Sequence, residues 1–179
     1  RLDKNTSGLL IVARNSAAFQ TLTAAMSRRE ISRTYSAISN GIVIAGGTVD
    51  EPIGRDPHNR LKMAIRRDGR RAVSHYRVVK KFRAHTQLEV RLDTGRTHQS
   101  RVHLAHIGHP IVGDKQYGSR LRLPAKPHPQ LETAFGGFAR QALHAKALAF
   151  SHPLTGELIE VSSDLPSDIK MLISAALAD

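Results

Sequence analysis

With 179 residues, 40% of them hydrophobic, the chain is long enough to bury one sizeable core. It has no cysteine, which excludes disulfides and thiolate metal sites, and no apolar run approaches the ~18 residues that span a bilayer. Lysine and arginine number 27 against 15 aspartates and glutamates, a net charge of +12. With a pI near 10.9, that is the electrostatic footprint of a nucleic-acid binder. Aromatic residues make up only 4% and tryptophan is absent, which argues against a stacking platform for single strands and for phosphate contacts and shape. The N-terminus lacks a signal-peptide pattern, so the cytoplasm is the expected compartment.

In chain order, Leu9–Ala13 is an apolar run after a Thr-Ser-Gly turn and predicts a buried strand. Asn15 or Ser16 then caps a helix to Arg28, with Phe19, Leu22 and Met26 at helical spacing. Tyr35–Ser39 predicts a strand ended by Asn40-Gly41, and Val43–Pro52 a glycine-bearing connection with a short strand. Residues 54–60 read as a loop, Leu61–Ile65 as a strand, and Arg66–Arg71 as a basic turn. Two strands follow, Val73–Phe82 and Gln87–Leu92, joined near Ala84-His85. Thr97 is positioned to cap a helix through His106, with Gly108 as its stop. Residues 119–137, rich in proline and glycine, read as a surface insertion. Strands at Ala142–Ser151 and Leu158–Ser162 and a helix begun by Pro166 complete the chain. Many strands with few interspersed helices and no repeat or linker predict an α+β fold. Its sheet is expected to be mixed and largely antiparallel, with a few flanking helices.

Two segments carry chemistry. Arg1-Leu2-Asp3-Lys4-Asn5-Thr6-Ser7-Gly8 places an aspartate on a tight loop, where a turn aspartate and a working carboxylate share the same pattern. Gly95-Arg96-Thr97-His98-Gln99-Ser100-Arg101-Val102-His103 is dense in polar residues and leads to Gly108-His109-Pro110-Ile111-Val112-Gly113-Asp114-Lys115-Gln116-Tyr117-Gly118. Together with Arg33-Thr34-Tyr35-Ser36-Ala37, Arg140-Gln141-Ala142-Leu143-His144-Ala145 and His152-Pro153-Leu154-Thr155-Gly156, these segments resemble the RluA-type pseudouridine synthases from Arg1 to about Leu172. Asp50–Arg55 and Ala84-His85-Thr86 are most similar to that family's large-subunit rRNA synthase D subgroup.

The resemblance implies isomerisation of uridine to pseudouridine in large-subunit (23S) ribosomal RNA, at a structured stem-loop, by a monomer without a cofactor. It implies Asp3 as catalytic aspartate, Arg101 as its basic partner and Tyr35 as the tyrosine on the target base. Arg1 is implied to fill the gap left by the flipped nucleotide, and Leu143 to lie beneath the base. A phosphate-binding arginine, a core tyrosine and a core leucine remain the plain alternatives for Arg101, Tyr35 and Leu143. Opposite charge within ~4–6 Å favours an ionised carboxylate. One prominent carboxylate fits isomerisation better than hydrolysis, which uses two. The resemblance further implies strands and a histidine before Arg1, and often an S4-type domain. Residues 1–179 are thus expected to be part of a catalytic domain, without its N-terminal strands.

Arg96, His98, Arg66, Arg67, Arg70 and Arg71 are candidate RNA contacts, with Lys62, Arg120 and Arg122 beside them; solvated surface charge is the alternative for each. Ser100 stands where the family has Leu or Ile and is expected to loosen the seat of Arg101. His98, His103, His106 and His109 lack a carboxylate spaced to complete a metal site, so no metal is expected. The second function class is a non-enzymatic basic RNA-binding or ribosome-assembly domain derived from a synthase. Joint presence of Asp3, Tyr35 and Arg101 favours the enzyme.

Overall fold

The computed structural model describes residues 1–118 and 120–179. In chain order the elements are β1 (Ser7–Gly8), α1 (Ser16–Ser27), β2 (Ser32–Asn40), β3 (Gly47–Asp50), β4 (Ile53–Arg55), β5 (Met63–Ile65), β6 (Val73–Lys81) and β7 (His85–Leu92). There follow α2 (Gln99–His106), α3 (Pro129–Gly136), β8 (Leu143–Ser151), β9 (Leu158–Ser162) and α4 (Ser167–Ala178). Seven strands form one sheet in the order β1-β8-β2-β7-β6-β3, with β9 also on β8, and β4 pairs with β5 in a separate ribbon. Among the described residues only β1 and β8 run parallel; every other strand pairing is antiparallel. The expected α+β class holds.

The core lies between this sheet and the helices α2, α3 and α4. Ile38, Leu88 and Val90 from the central strands β2 and β7 meet Leu104, Leu131, Ile169 and Leu172. Alternation on β7 (Thr86, Leu88, Val90 and Leu92 buried) matches a half-buried strand. Among the described residues, no helix is long and apolar enough to cross a membrane.

Four expectations are corrected. Leu9–Ala13 is not a strand, and Leu10 and Val12 are 53% and 72% exposed. Only Ser7 and Gly8 pair with β8, because β9 takes over that edge from Ala147 onward. The first helix forms behind the Asn15 cap, but Phe19 and Met26 face solvent and Ala18 alone is buried. Thr97 does not cap α2. The cap position is His98 in the left-handed conformation (φ 59°), without a side-chain cap bond. Within the insertion at 119–137, Pro129 at the first turn and the His128 cap start α3, which buries Leu131 and Phe135; Ser119 lies outside the described residues. The basic turn, the hairpin near Ala84 and the terminal helix fall where expected, with Pro166 as the cap of α4.

Candidate active site

Asp3 sits on a loop fixed from both ends. Thr6 N–H donates to the Asp3 carbonyl at 3.0 Å, closing the turn. Gln141 Nε2 donates to the Lys4 carbonyl (2.6 Å) and Thr6 Oγ1 (3.0 Å), and Arg140 Nη1 to the Asn5 carbonyl (3.2 Å). Ser7 Oγ bonds His144 Nδ1 at 3.0 Å. Gly8 has φ 110°, and a Cβ there would collide with the backbone of Ala145. The Arg140–Ala145 segment therefore acts as the bed on which the Asp3 loop lies.

Arg101 projects from α2 and is almost fully buried. Its principal partner is Asp114, through a two-bond fork: Nε to Oδ2 at 2.7 Å and Nη2 to Oδ1 at 2.9 Å. Nη1 reaches Asp3 Oδ2 at 3.4 Å, and Nη2 reaches Gln116 Oε1 at 3.2 Å. The expected Asp3–Arg101 pair is present but secondary. Asp114 also accepts from the Gln116 and Tyr117 N–H groups, at 2.9 and 3.1 Å. Burial would push its carboxyl up, but the Arg101 fork and these two N–H groups outweigh that and hold it below the ordinary carboxylate value. A buried ion pair whose carboxylate accepts four hydrogen bonds is a rigid seat for a third charge. Ser100 is 5% exposed and lines the cleft.

Tyr117 joins this seat to the β4–β5 ribbon. The Arg101 guanidinium lies 4.9 Å from the Tyr117 ring centre. The Tyr117 hydroxyl accepts from Met63 N–H at 2.8 Å and shares a hydrogen bond with His98 Nδ1 at 2.7 Å. Gln116 Nε2 donates to the Leu61 carbonyl at 2.8 Å. Burial lowers the pKa of His98, in keeping with a neutral ring. Tyr117→Phe strands the half-buried Met63 N–H, at a cost of about 1–3 kcal/mol. Urea denaturation is expected to show that loss, with amide exchange at Met63 accelerated; an unchanged midpoint would mean that the hydroxyl does not hold the ribbon.

In front of Asp3 opens a cleft of about 460 Å³, lined among others by Arg1, Asp3, Tyr35, Arg96, Ser100 and Leu143. Tyr35 enters it beside a register shift in the β2–β8 pairing, where Thr34 and Tyr35 face Ala147 and Ala145 and Lys146 of β8 is the extra residue. Burial pushes its phenol above the ordinary value. Tyr35 and Leu143 also pack on the core, as the plain reading of each expects. Arg1 Nη2 donates to Thr97 Oγ1 at 3.4 Å, and Arg96 Nε to the Arg71 carbonyl at 2.9 Å, which fixes two cations at the rim. Two further carboxylates accompany Asp3. Asp93 also lines the cleft, but its Oδ2 meets His75 Nε2 at 2.7 Å, and Asp114 is fully covered. Asp3 and Asp93 are thus both open to a substrate, with 23% and 32% of their side chains exposed; Asp3 is the one backed by a buried arginine.

Five of the expected site residues thus share the cleft, and Arg101 stands behind Asp3. His98 instead faces Tyr117. Arg66, Arg67, Arg70 and Arg71 lie away from the cleft, in the turn after β5. Arg66 pairs with Asp68 (Nε to Oδ1 at 2.7 Å) and Arg71 with Asp50 (3.1 Å), while Arg67 and Arg70 are exposed. His103 is structural. Its Nε2 donates to the Glu51 carbonyl (3.0 Å), so Nδ1 accepts from Ser74 Oγ (2.8 Å), which in turn accepts from Gln99 Nε2 (3.0 Å). Gln99 Oε1 receives Thr94 Oγ1 and Arg96 N–H, anchoring the start of α2. The sequence reading missed Asp114, Gln116, Tyr117, Gln99 and Gln141; all stand inside the quoted motifs.

The family model described as RNA pseudouridylate synthase matches residues 1–106. The chain belongs to the RNA pseudouridylate synthase family. Along its whole length it is 52% identical to the ribosomal large subunit pseudouridine synthase D of Xanthomonas campestris pv. campestris and 48% identical to that of Escherichia coli. It covers 54% and 55% of those proteins, about half their length. Among solved structures, human RNA pseudouridylate synthase domain containing 4 superposes with a TM-score of 0.78, at 25% identity over 99% of this chain and 74% of that one. Human RNA pseudouridylate synthase domain containing 1 gives 0.75, at 25% identity over 100% and 79%. The mixed sheet and flanking helices described above are therefore shared with other members of the RNA pseudouridylate synthase family.

Proposed function

We propose that residues 1–179 carry the catalytic aspartate of an RNA pseudouridine synthase, and that the full-length protein isomerises uridine to pseudouridine in a structured stem-loop of large-subunit (23S) rRNA. The observation that carries this reading is Asp3: a carboxylate exposed on the cleft wall and backed by the buried Arg101, whose own position is fixed by Asp114. In the reaction the N1–C1′ bond of uridine breaks, the base turns, and C5 bonds to C1′. The C5 proton is lost and N1 gains one, so atoms and electrons balance without a redox partner. Asp3 acts at the sugar, as nucleophile or as base. Tyr35 stacks on the base, and Leu143 supports it from below. Arg1 at the rim replaces the stacking lost on flipping, a cost of a few kcal/mol. Curated relatives are named for this activity, and the charge of +12 suits an RNA substrate.

The test uses full-length protein and unmodified 23S rRNA. Carbodiimide treatment and primer extension are expected to show new stops at a small set of uridines. No stops at any uridine, with RNA still bound, would leave a basic RNA-binding domain derived from a synthase.

Charge provides a second prediction. Log K for RNA should fall linearly with log salt, at about 0.7–0.9 per phosphate contact. Because Arg66 and Arg71 already hold carboxylates, joint replacement of Arg67 and Arg70 by alanine is expected to shallow the slope more than replacement of the paired two. An unchanged slope in the Arg67/Arg70 variant would remove this turn from the RNA interface.

A further inference from the structure

Arg33 belongs to a quoted motif, yet none of the roles above uses it. It stands on β2, two residues before Tyr35, and lines the same cleft as Asp3. Its guanidinium is poorly partnered for a half-buried cation. Nε is buried without a hydrogen-bond partner, and Nη2 has only the Leu92 carbonyl at 3.5 Å. Among the described residues no carboxylate lies within 4.0 Å of it, and it forms no ion pair. The two cleft carboxylates are turned elsewhere: Asp93 to His75, and Asp3 to Arg101. Burial pulls the Arg33 pKa down by more than nearby Tyr35 and Asp93 offset.

The chain also makes room for this cation. A Cβ on Gly95 would meet Arg33 Nη1 at 2.5 Å. Gly95 shows no positive φ, so no backbone strain bars a side chain there, and what a Cβ would meet is the guanidinium end of Arg33. A half-buried cation with unfilled donors, in a cleft made for a nucleotide, lacks an anion. Uracil is neutral and ribose is neutral. The anion that RNA brings is the phosphodiester, which a guanidinium fork binds through paired charge-assisted hydrogen bonds.

We propose that Arg33 binds a phosphodiester oxygen of the linkage adjoining the target uridine, with Gly95 holding open the space for its guanidinium. This rests on the RNA-modifying reading of the cleft. Arg33 then fixes the backbone on one side of the nucleotide while Asp3 faces its sugar. A free nucleoside lacks this contact and is bound without it.

The experiment scans the bound rRNA stem-loop linkage by linkage with uncharged methylphosphonate, using 2′-O-methyl ribose at the substituted position to prevent cleavage. Binding to full-length protein is measured for the parent, Arg33→Gln, Arg33→Lys and Gly95→Ala, with folding checked by circular dichroism. For the parent, one linkage is expected to weaken binding roughly tenfold, as for the loss of one charge-assisted contact. In Arg33→Gln that linkage-specific loss should vanish and the salt slope should fall by about 0.7–0.9. Gly95→Ala should reduce the loss, because its methyl displaces the guanidinium, and Arg33→Lys should keep part of it. A parent scan with no sensitive linkage overturns the proposal without needing any variant, as does an equal loss in Arg33→Gln. If Arg33→Gln does not fold, Gly95→Ala decides in its place: a full loss retained overturns the proposal. Pseudouridine formation on unmodified RNA is read in parallel, so failure of the enzyme reading shows separately from failure of this contact.

Discussion

Asp3→Asn is expected to abolish pseudouridine formation while RNA affinity stays within a few-fold of the parent. The amide is nearly the same size as the carboxylate, but it neither attacks C1′ nor accepts a proton at neutral pH. The surroundings survive the change. Arg101 keeps its 2.7 and 2.9 Å bonds to Asp114, and the bond it loses to Asp3 is the 3.4 Å one. Loop position depends on Gln141, Arg140 and Ser7 through backbone carbonyls and hydroxyls, not on the Asp3 carboxylate. The stability cost should stay within about 1 kcal/mol, as for a weak, partly exposed ion pair. Carbodiimide primer extension on 23S rRNA, filter binding and a thermal melt of the full-length variant measure the three quantities. Pseudouridine at parental yield would remove Asp3 from the chemistry. Lost yield with equally lost binding would make it a structural residue instead.

Much of this site was legible because its motifs are local. Asp3, Arg101 and Tyr35 each stand in a short run whose chemistry is readable, and the fold brings Asp3 and Tyr35 to one cleft with Arg101 behind. Asp114 stood in view in a quoted motif, but its role depends on α2 and the following turn closing Arg101 onto it from 13 residues away. No periodicity encodes that contact. The Leu9–Ala13 run misled for a related reason: apolar composition records what a segment can bury, not whether a neighbour covers it. Here β9 takes the β8 edge and leaves Leu10 and Val12 to solvent. Residues 129–136 were hidden by the run of Pro124, Pro127 and Pro129, although Pro129 at a helix start is where proline belongs. Arg66 and Arg71 illustrate a further limit. A basic turn reads as four equivalent charges, and only coordinates reveal that two of them already hold a carboxylate.

Arg101→Ala is expected to be the most destabilising single change in the site, at about 3–5 kcal/mol, because it leaves a buried carboxylate without its cation. The exposed side is Asp3; the costly side is Asp114, whose side chain is 0% exposed. That loss is a large part of a typical folding free energy of about 5–15 kcal/mol. Its pH dependence has a definite sign. In the parent, Asp114 titrates below its unfolded value. The stability it contributes is therefore present above the unfolded carboxylate pKa, near ~3.9, and is lost as pH falls through the lower folded value. Without Arg101, burial becomes the dominant influence and the folded pKa rises above the unfolded one. The variant is then best off in acid, with Asp114 neutral, and loses stability as pH rises toward that raised value. The gap between parent and Arg101→Ala should consequently widen from about pH 3 to pH 6. Asp114→Asn should flatten this dependence, since position 114 no longer titrates. Arg101→Lys keeps the charge but makes one bond where the fork makes two, and should fall between parent and alanine. Urea denaturation across this pH series, on full-length protein with exposed Arg67→Ala as the comparison, measures all of it. If Arg101→Ala costs no more than Arg67→Ala, within about 0.5 kcal/mol, the buried pair does not hold the site together, and the rigid placement of Arg101 behind Asp3 loses its physical basis.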